Sequence, residues 1–306
     1  MKKALLVGIN YISLPDISLY GCIDDVVNMR NLLIDAYDYQ TSDITILRDD
    51  DPQNLPTVKN ILEQLDILAS QSGNLDEIWV HYSGHGSQIN NPNSDQVDKL
   101  DSILVPLDYQ TAGFIAEQTL LSVIQKVKCR GILLFDSCHS GSICNLPYSI
   151  VYTKPGEYKK QVNNHIVVTN PNIFVFSGSK RSQTSADTYS DVQGEPVGAF
   201  TNAFIECLRE SRHNIEILTL YNCICENLAT GGFKQVPVLS SSVPAPMHKI
   251  VRAPGPEPVP VPVPVSVPVL ALAKETKPVV QYNTAKQAIQ TILSTVSTGK
   301  KGKLVI

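Results

Sequence analysis

The chain has 306 residues, of which 43 % are hydrophobic and 18 % charged, and its formal net charge is −4. That is enough apolar material for a sizeable core, in one large domain with appendages or in two smaller ones. Lys and Arg are scattered apart from a short basic cluster at the extreme C-terminus, which argues against a nucleic-acid partner, and no apolar run is long enough to cross a membrane.

In chain order, residues 3–9 form a continuous apolar run ending in Gly8-Ile9-Asn10, the pattern of a strand buried on both faces. Residues 24–37 place Val26, Val27, Met29, Leu32, Leu33 and Ala36 on one helical stripe. Residues 44–47 read as a strand and 57–70 as a second amphipathic helix. Residues 77–82 predict a third strand, followed by the turn Ser83-Gly84-His85-Gly86. A short strand is expected at 101–106, a helix at 117–126, a buried strand at 131–136, another at 172–176 and a helix at 199–212. Strands alternating with helices predict an α/β domain with a mostly parallel sheet covered on both faces.

Composition changes after residue 243. Prolines crowd from Pro244 to Pro278, and proline blocks both helix interiors and sheet ladders. The expected organisation is a folded domain over 1–243, an extended polyproline-like linker over 244–280 and a tail over 281–306 with one short helix at 284–295. The linker is a spacer or a ligand for a polyproline-recognising domain.

Seven cysteines, an odd number without regular spacing, argue against a disulfide framework and for a reducing compartment. The apolar run after Met1-Lys2-Lys3 is too short for a signal peptide. A cytoplasmic monomer is the expectation.

Two segments depart from core patterning: His81-Tyr82-Ser83-Gly84-His85-Gly86 and Asp136-Ser137-Cys138-His139-Ser140-Gly141. Each follows a buried strand, and active sites of parallel sheets sit at the carboxyl ends of strands. A thiol is mostly protonated at neutral pH. A neighbouring imidazole can take its proton and later protonate a leaving amine, which makes Cys138 a candidate nucleophile and His85 its base. The backbone N–H groups of Gly86 and Cys138 are candidate oxyanion donors. Taken alone, a cysteine after a strand is more often a small buried hydrophobe, and a histidine in a turn a packing residue. His81 reads as structural, and His139 fits either role.

These two segments resemble the His and Cys motifs of the metacaspases, a family of caspase-like cysteine peptidases. The similarity continues in order through Lys3-Ala4-Leu5-Leu6-Val7-Gly8-Ile9-Asn10, Gly21-Cys22-Ile23-Asp24-Asp25-Val26, Gln183-Thr184-Ser185-Ala186-Asp187, Gly198-Ala199-Phe200-Thr201-Asn202-Ala203-Phe204 and Gln235-Val236-Pro237-Val238-Leu239-Ser240-Ser241. It implies a caspase-like three-layer α/β sandwich and cleavage of protein or peptide substrates after Arg or Lys, in a pocket lined by Cys22, Asp25, Ser83 and Asp136. The residues agree with that implication, because two carboxylates in one hollow attract a guanidinium and reject an acidic side chain.

The chain also departs from the family pattern. The positions that match the family's calcium site are Asp101, Glu117, Gln118 and Asn145, two of them neutral amides where acids are usual. Calcium prefers six to eight oxygens with several carboxylates, so weakened or absent calcium affinity is expected and no cofactor is required. Lys180-Arg181 stands where the resemblance implies a Cys and acids. This pair, Lys154 and Lys159-Lys160 are candidate self-cleavage sites, each with a solvated loop charge as the plain alternative. An inactive interaction module that binds basic peptides is the competing reading of the whole chain.

Overall fold

Alternate residues of the first strand go to opposite sides of one sheet: Ala4 and Leu6 join one buried cluster, Leu5 and Val7 another. A strand with this alternation and no polar face has to lie inside the domain with helices above and below. The computed structural model describes residues 1–94, 99–163, 165–180 and 198–252 and shows that arrangement. The eight-stranded sheet has the order β2-β1-β3-β7-β10-β12-β8-β9. Its strands are β1 (Lys2–Gly8), β2 (Ile44–Arg48), β3 (Glu77–Ser83), β7 (Arg130–Asp136), β8 (Tyr148–Lys154), β9 (Glu157–Val162), β10 (Ile173–Ser177) and β12 (Val238–Ser241). The pairs from β2 to β10 are parallel, and those from β10 to β9 antiparallel.

One face is covered by α1 (Cys22–Tyr37), α5 (Ala199–Glu210) and α6 (Ile217–Thr230), whose Leu33, Phe204 and Leu228 are fully buried with Trp79 and Phe176. The other is covered by α2 (Val58–Gln71) and α4 (Glu117–Ile124), packed on Leu5, Val80 and Leu133. Two small sheets complete the domain: β4 (Gly86–Asn90), β5 (Leu100–Leu104) and β6 (Ile115–Ala116), with α3 (Tyr109–Ala112) before β6, and β11 (Asn214–Glu216) with β13 (Lys249–Val251). The chain leaves β1 toward β2 on one side and returns to β3 on the other. The loops after β1 and β3 therefore diverge and open a crevice at their carboxyl ends.

Several features go beyond the sequence reading. Residues 148–162 form an antiparallel hairpin that turns at Gly156, where φ is +74°, so Lys154, Lys159 and Lys160 stand exposed on a sheet-edge hairpin rather than in a loop. The folded chain continues beyond 243: Ile250 is buried, and the Arg252 N–H donates to the His213 carbonyl at 2.7 Å. Cys207 and Cys223 form a disulfide with a Cα–Cα distance of 6.0 Å. Packing of α5 on α6 brings the two together, which an irregular cysteine spacing could not reveal. The prolines from residue 253 onward, the expected 284–295 helix, Arg181 and the segment Gln183 to Asp187 lie outside the described residues.

Phe204 sits edge-on between Trp79 and Phe176, with ring centroids 6.0 and 5.2 Å away. Phe204→Ala is expected to destabilise the domain by about 3–5 kcal/mol. The measurement is a lower urea midpoint at unchanged slope, and an unchanged midpoint would show that this cluster does not hold the layers together.

Candidate active site

The site begins with a strand register. β3 and β7 are adjacent and parallel, with Ser83 opposite Asp136 at their carboxyl ends. His85 and Cys138 each lie two residues beyond that pair. The two turns touch: a Cβ at Gly86 would come within 2.3 Å of the Cys138 carbonyl oxygen and 2.9 Å of Ser137 Oγ. Gly86 is thus the residue that lets the histidine turn close on the cysteine turn. Past Cys138 the chain reverses through His139 at φ +56° into a 3-10 turn, Ser140–Ser142. The Ser137 carbonyl is braced by Ser140 Oγ at 2.8 Å and Ser179 Oγ at 3.2 Å.

His85 is buried, and each of its backbone groups is held. Its N–H donates to Tyr11 Oη at 3.0 Å, and its carbonyl accepts from Tyr82 Oη at 2.8 Å. Tyr11 Oη spends its own proton on the Val105 carbonyl at 2.6 Å. The Tyr11 ring lies 4.7 Å from the imidazole, although its backbone is at φ +54°, a region unfavourable for a bulky residue. Imidazole Nε2 lies 2.7 Å from the Ile17 carbonyl. A carbonyl only accepts, so Nε2 carries the proton and the neutral ring keeps Nδ1 as its base. Burial pushes the His85 pKa down to about 4, opposed by the Ile17 hydrogen bond; the ring is a neutral acceptor at neutral pH. No third side chain is needed to orient it, since a backbone carbonyl from the β1–α1 loop does so.

Close to both turns lies a buried acidic cluster. Cys22, Asp25, Ser83 and Asp136 are all buried and converge where β1, β3 and β7 end. Ser83 Oγ donates to Asp25 Oδ2 at 2.7 Å. Thr201, which sequence reasoning did not single out, donates to Asp136 Oδ2 from its N–H at 3.0 Å and from Oγ1 at 2.8 Å. Gly198, at φ +101°, leaves room for Asp25: a Cβ there would meet Asp25 Oδ1 at 2.4 Å. Both residues belong to the Gly198–Phe204 motif, whose sequence similarity was the signal available for them. Desolvation raises the Asp25 pKa, as does the Asp136 charge, with Ser83 pulling it back. Desolvation raises Asp136 too, against the two Thr201 hydrogen bonds. Burial pushes the Cys22 thiol well up, so it stays neutral.

The positions matched to a calcium site are placed differently. Asp101 and Glu117 are buried, but Gln118 faces solvent. Glu117 Oε2 accepts from the Ser102 N–H at 2.9 Å and Ser142 Oγ at 3.1 Å, and Asn145 Oδ1 accepts from Asn163 at 3.1 Å. Asp101 Oδ2 takes an Asn91 donor at 2.5 Å, and its Oδ1 is buried without a partner. Calcium wants several open carboxylates; at these four positions the described residues bring two carboxylates inward, Asp101 and Glu117, and leave Gln118 outside. The one group of His, Cys, Asp or Glu able to share a metal ion among the described residues is Cys207, Glu210 and Cys223, and its thiols are joined as the disulfide. No helix among them is long and apolar enough to cross a membrane.

A carboxyl group whose pKa is higher folded than unfolded stabilises the fold while protonated. That contribution fades as pH rises above the unfolded value of about 4. Asp25→Asn keeps an acceptor for Ser83 and removes the buried charge. It is expected to raise the melting temperature near pH 8 and to flatten its decline from about pH 4 upward. Thermal unfolding across that range checks this, and equal slopes in both proteins would count against charge burial at Asp25.

Residues 2–147 match the family model "Metacaspase, peptidase C14 domain". Metacaspase-1B of Aspergillus niger is 36 % identical over 293 residues, covering 80 % of this chain and 66 % of that protein. Metacaspase-1B of Aspergillus terreus is 34 % identical, covering 79 % and 75 %, and metacaspase-1 of Saccharomyces cerevisiae is 31 % identical, covering 79 % and 67 %. The chain thus spans roughly two thirds to three quarters of the length of these relatives. Among solved structures, a Geobacter sulfurreducens protein superposes with a TM-score of 0.55 at 18 % identity, covering 80 % of this chain and 95 % of that one. Caspase-1 of Spodoptera frugiperda gives 0.51 at 15 %, covering 82 % and 88 %. With relatives this similar over most of their length, the chain belongs to the metacaspase family of caspase-like cysteine peptidases.

Proposed function

We propose that the protein is an endopeptidase that cleaves after Arg or Lys by acyl transfer, with Cys138 as nucleophile and His85 as base. The observation that carries this reading is the closure of the two turns at Gly86 together with the Nε2–H of His85 committed to Ile17. A basic side chain enters the hollow formed by Asp25 and Asp136. His85 Nδ1 takes the thiol proton as Cys138 Sγ attacks the substrate carbonyl carbon. The developing oxyanion is held by the N–H groups of Gly86 and Cys138. The imidazolium then protonates the leaving amine and the peptide C–N bond breaks. Water, deprotonated by the same imidazole, releases the thioester as a carboxylic acid and restores the thiol.

The pocket supports the substrate class on electrostatic grounds. Two carboxylates pushed upward by burial gain most from a cation that enters and shares their site. An acidic side chain would meet like charge without a partner. Self-processing at Lys180-Arg181 or in the β8–β9 hairpin belongs to the same proposal. Backbone pairing of Lys159 and Lys160 with β8 disfavours those two bonds, because a scissile segment has to leave its ladder to enter a cleft. Calcium independence belongs to the same proposal, supported by the two neutral amides, Gln118 and Asn145, at the matched positions.

The test is a positional peptide library run on wild type and Cys138→Ala, with EDTA and with added calcium. Turnover of Arg and Lys peptides by wild type alone, unchanged by EDTA, is the expected result. Absence of turnover in every condition would move the assignment to a module that binds basic peptides. Loss in EDTA with rescue by calcium would overturn the calcium-independent part alone. Intact masses of the same two proteins read self-processing, and identical masses would remove it.

A further inference from the structure

Two hydroxyls hold the buried carboxylates in the same way. Ser83 Oγ binds Asp25 Oδ2, and Thr201 Oγ1 binds Asp136 Oδ2. Among the described residues neither Oδ1 receives a hydrogen bond. Each carboxylate therefore has one oxygen fixed by the protein and one left over, the arrangement a guanidinium fork or an ammonium can use.

The Thr201 bonds are fixed in turn. Thr201 is the third residue of α5, and the N-cap, Gly198, supplies no side-chain cap. The Thr201 N–H would be left without a partner. Asp136 satisfies it from another element and gains the favourable end of the helix dipole. The Thr201 hydroxyl has a single proton, given to Asp136, so toward His81 Nε2 at 3.2 Å it accepts. His81 is therefore protonated on Nε2. Its Nδ1 is buried without a partner, and burial pushes its pKa down to about 3. An unpartnered buried ring nitrogen costs stability that an apolar residue at this position would not. His81 and Ser83 lie two apart on β3, so both reach the same face. One strand thereby reaches both carboxylates, through Ser83 directly to Asp25 and through Thr201 to Asp136.

We propose that Thr201, oriented by His81, is a positioning residue for substrate recognition: it pins one oxygen of Asp136 and leaves the other to meet the basic side chain. The inference deepens the peptidase reading, on which its substrate class rests, but it makes a separate claim about binding. The test therefore uses a probe that needs no turnover. Calorimetric binding of agmatine, a small guanidinium compound, is measured for wild type, Thr201→Val and Thr201→Ser, with kcat and KM for an Arg peptide in parallel. The rate of Cys138 alkylation by iodoacetamide reports an intact nucleophile turn.

Thr201→Val is expected to weaken agmatine binding and raise KM about tenfold, the worth of one hydrogen bond to a charged group. kcat and the alkylation rate stay close to wild type, and Thr201→Ser restores binding. Should Thr201→Val fail to fold, His81→Leu against His81→Gln carries the same comparison, because only the amide can donate to the Thr201 hydroxyl. Wild-type agmatine affinity and KM in Thr201→Val, or in His81→Leu, would overturn the inference. So would a loss in kcat alone, or failure of Thr201→Ser to recover binding. A wild type that binds agmatine yet cleaves nothing would leave this inference standing and remove the peptidase reading.

Discussion

The register of two neighbouring parallel strands governs the site. With Ser83 opposite Asp136, the turns that follow leave the sheet side by side and meet at Gly86. A slip of one residue would turn every side chain of β3 to the other face. It would move Ser83 away from Asp25 and His81 away from Thr201, and it would separate the His85 turn from the Cys138 turn. The register is held by the two-sided core, because Trp79 and Val80 sit in different clusters and neither can exchange places at low cost.

Around that register the domain tolerates buried charge. Asp25 and Asp136 lie among residues almost without solvent exposure, which opposes folding at neutral pH. The cost is offset in part by Ser83, by Thr201 and by the start of α5. Two buried carboxylates this close together would be stabilised by any cation that joined them. His85 follows the opposite logic: burial keeps the ring neutral, and the Ile17 carbonyl aligns it through Nε2.

Much of this was legible in the chain. Two-sided apolar runs at 3–9, 77–82 and 131–136 declare central parallel strands, and 3.6-residue stripes declare α1, α2 and α5. Other elements were less visible for identifiable reasons. β9 is an edge strand with most side chains in solvent, so it carries no alternation to read. β13 follows two prolines that suggest a linker, and it is ordered by pairing with β11 rather than by its own pattern. α6 carries a helical stripe of its own, Ile217, Leu220, Tyr221, Ile224 and Leu228, and lies beyond the helices expected from the chain.

At the site, local sequence determined which groups are present: a thiol and an imidazole on glycine-flanked turns, two carboxylates near strand ends, and a motif order that implies a family. Those are properties of short segments, fixed by residue type and spacing. Only the tertiary structure decided their relations. It set Ile17 against Nε2, and with it the tautomer of His85. It brought Thr201, far along the chain, onto Asp136, and it joined Cys207 to Cys223. It also left Gln118 in solvent while its neighbour Glu117 was buried. Each of these depends on how distant segments meet when helices pack on a sheet, and not on the order of residues around them.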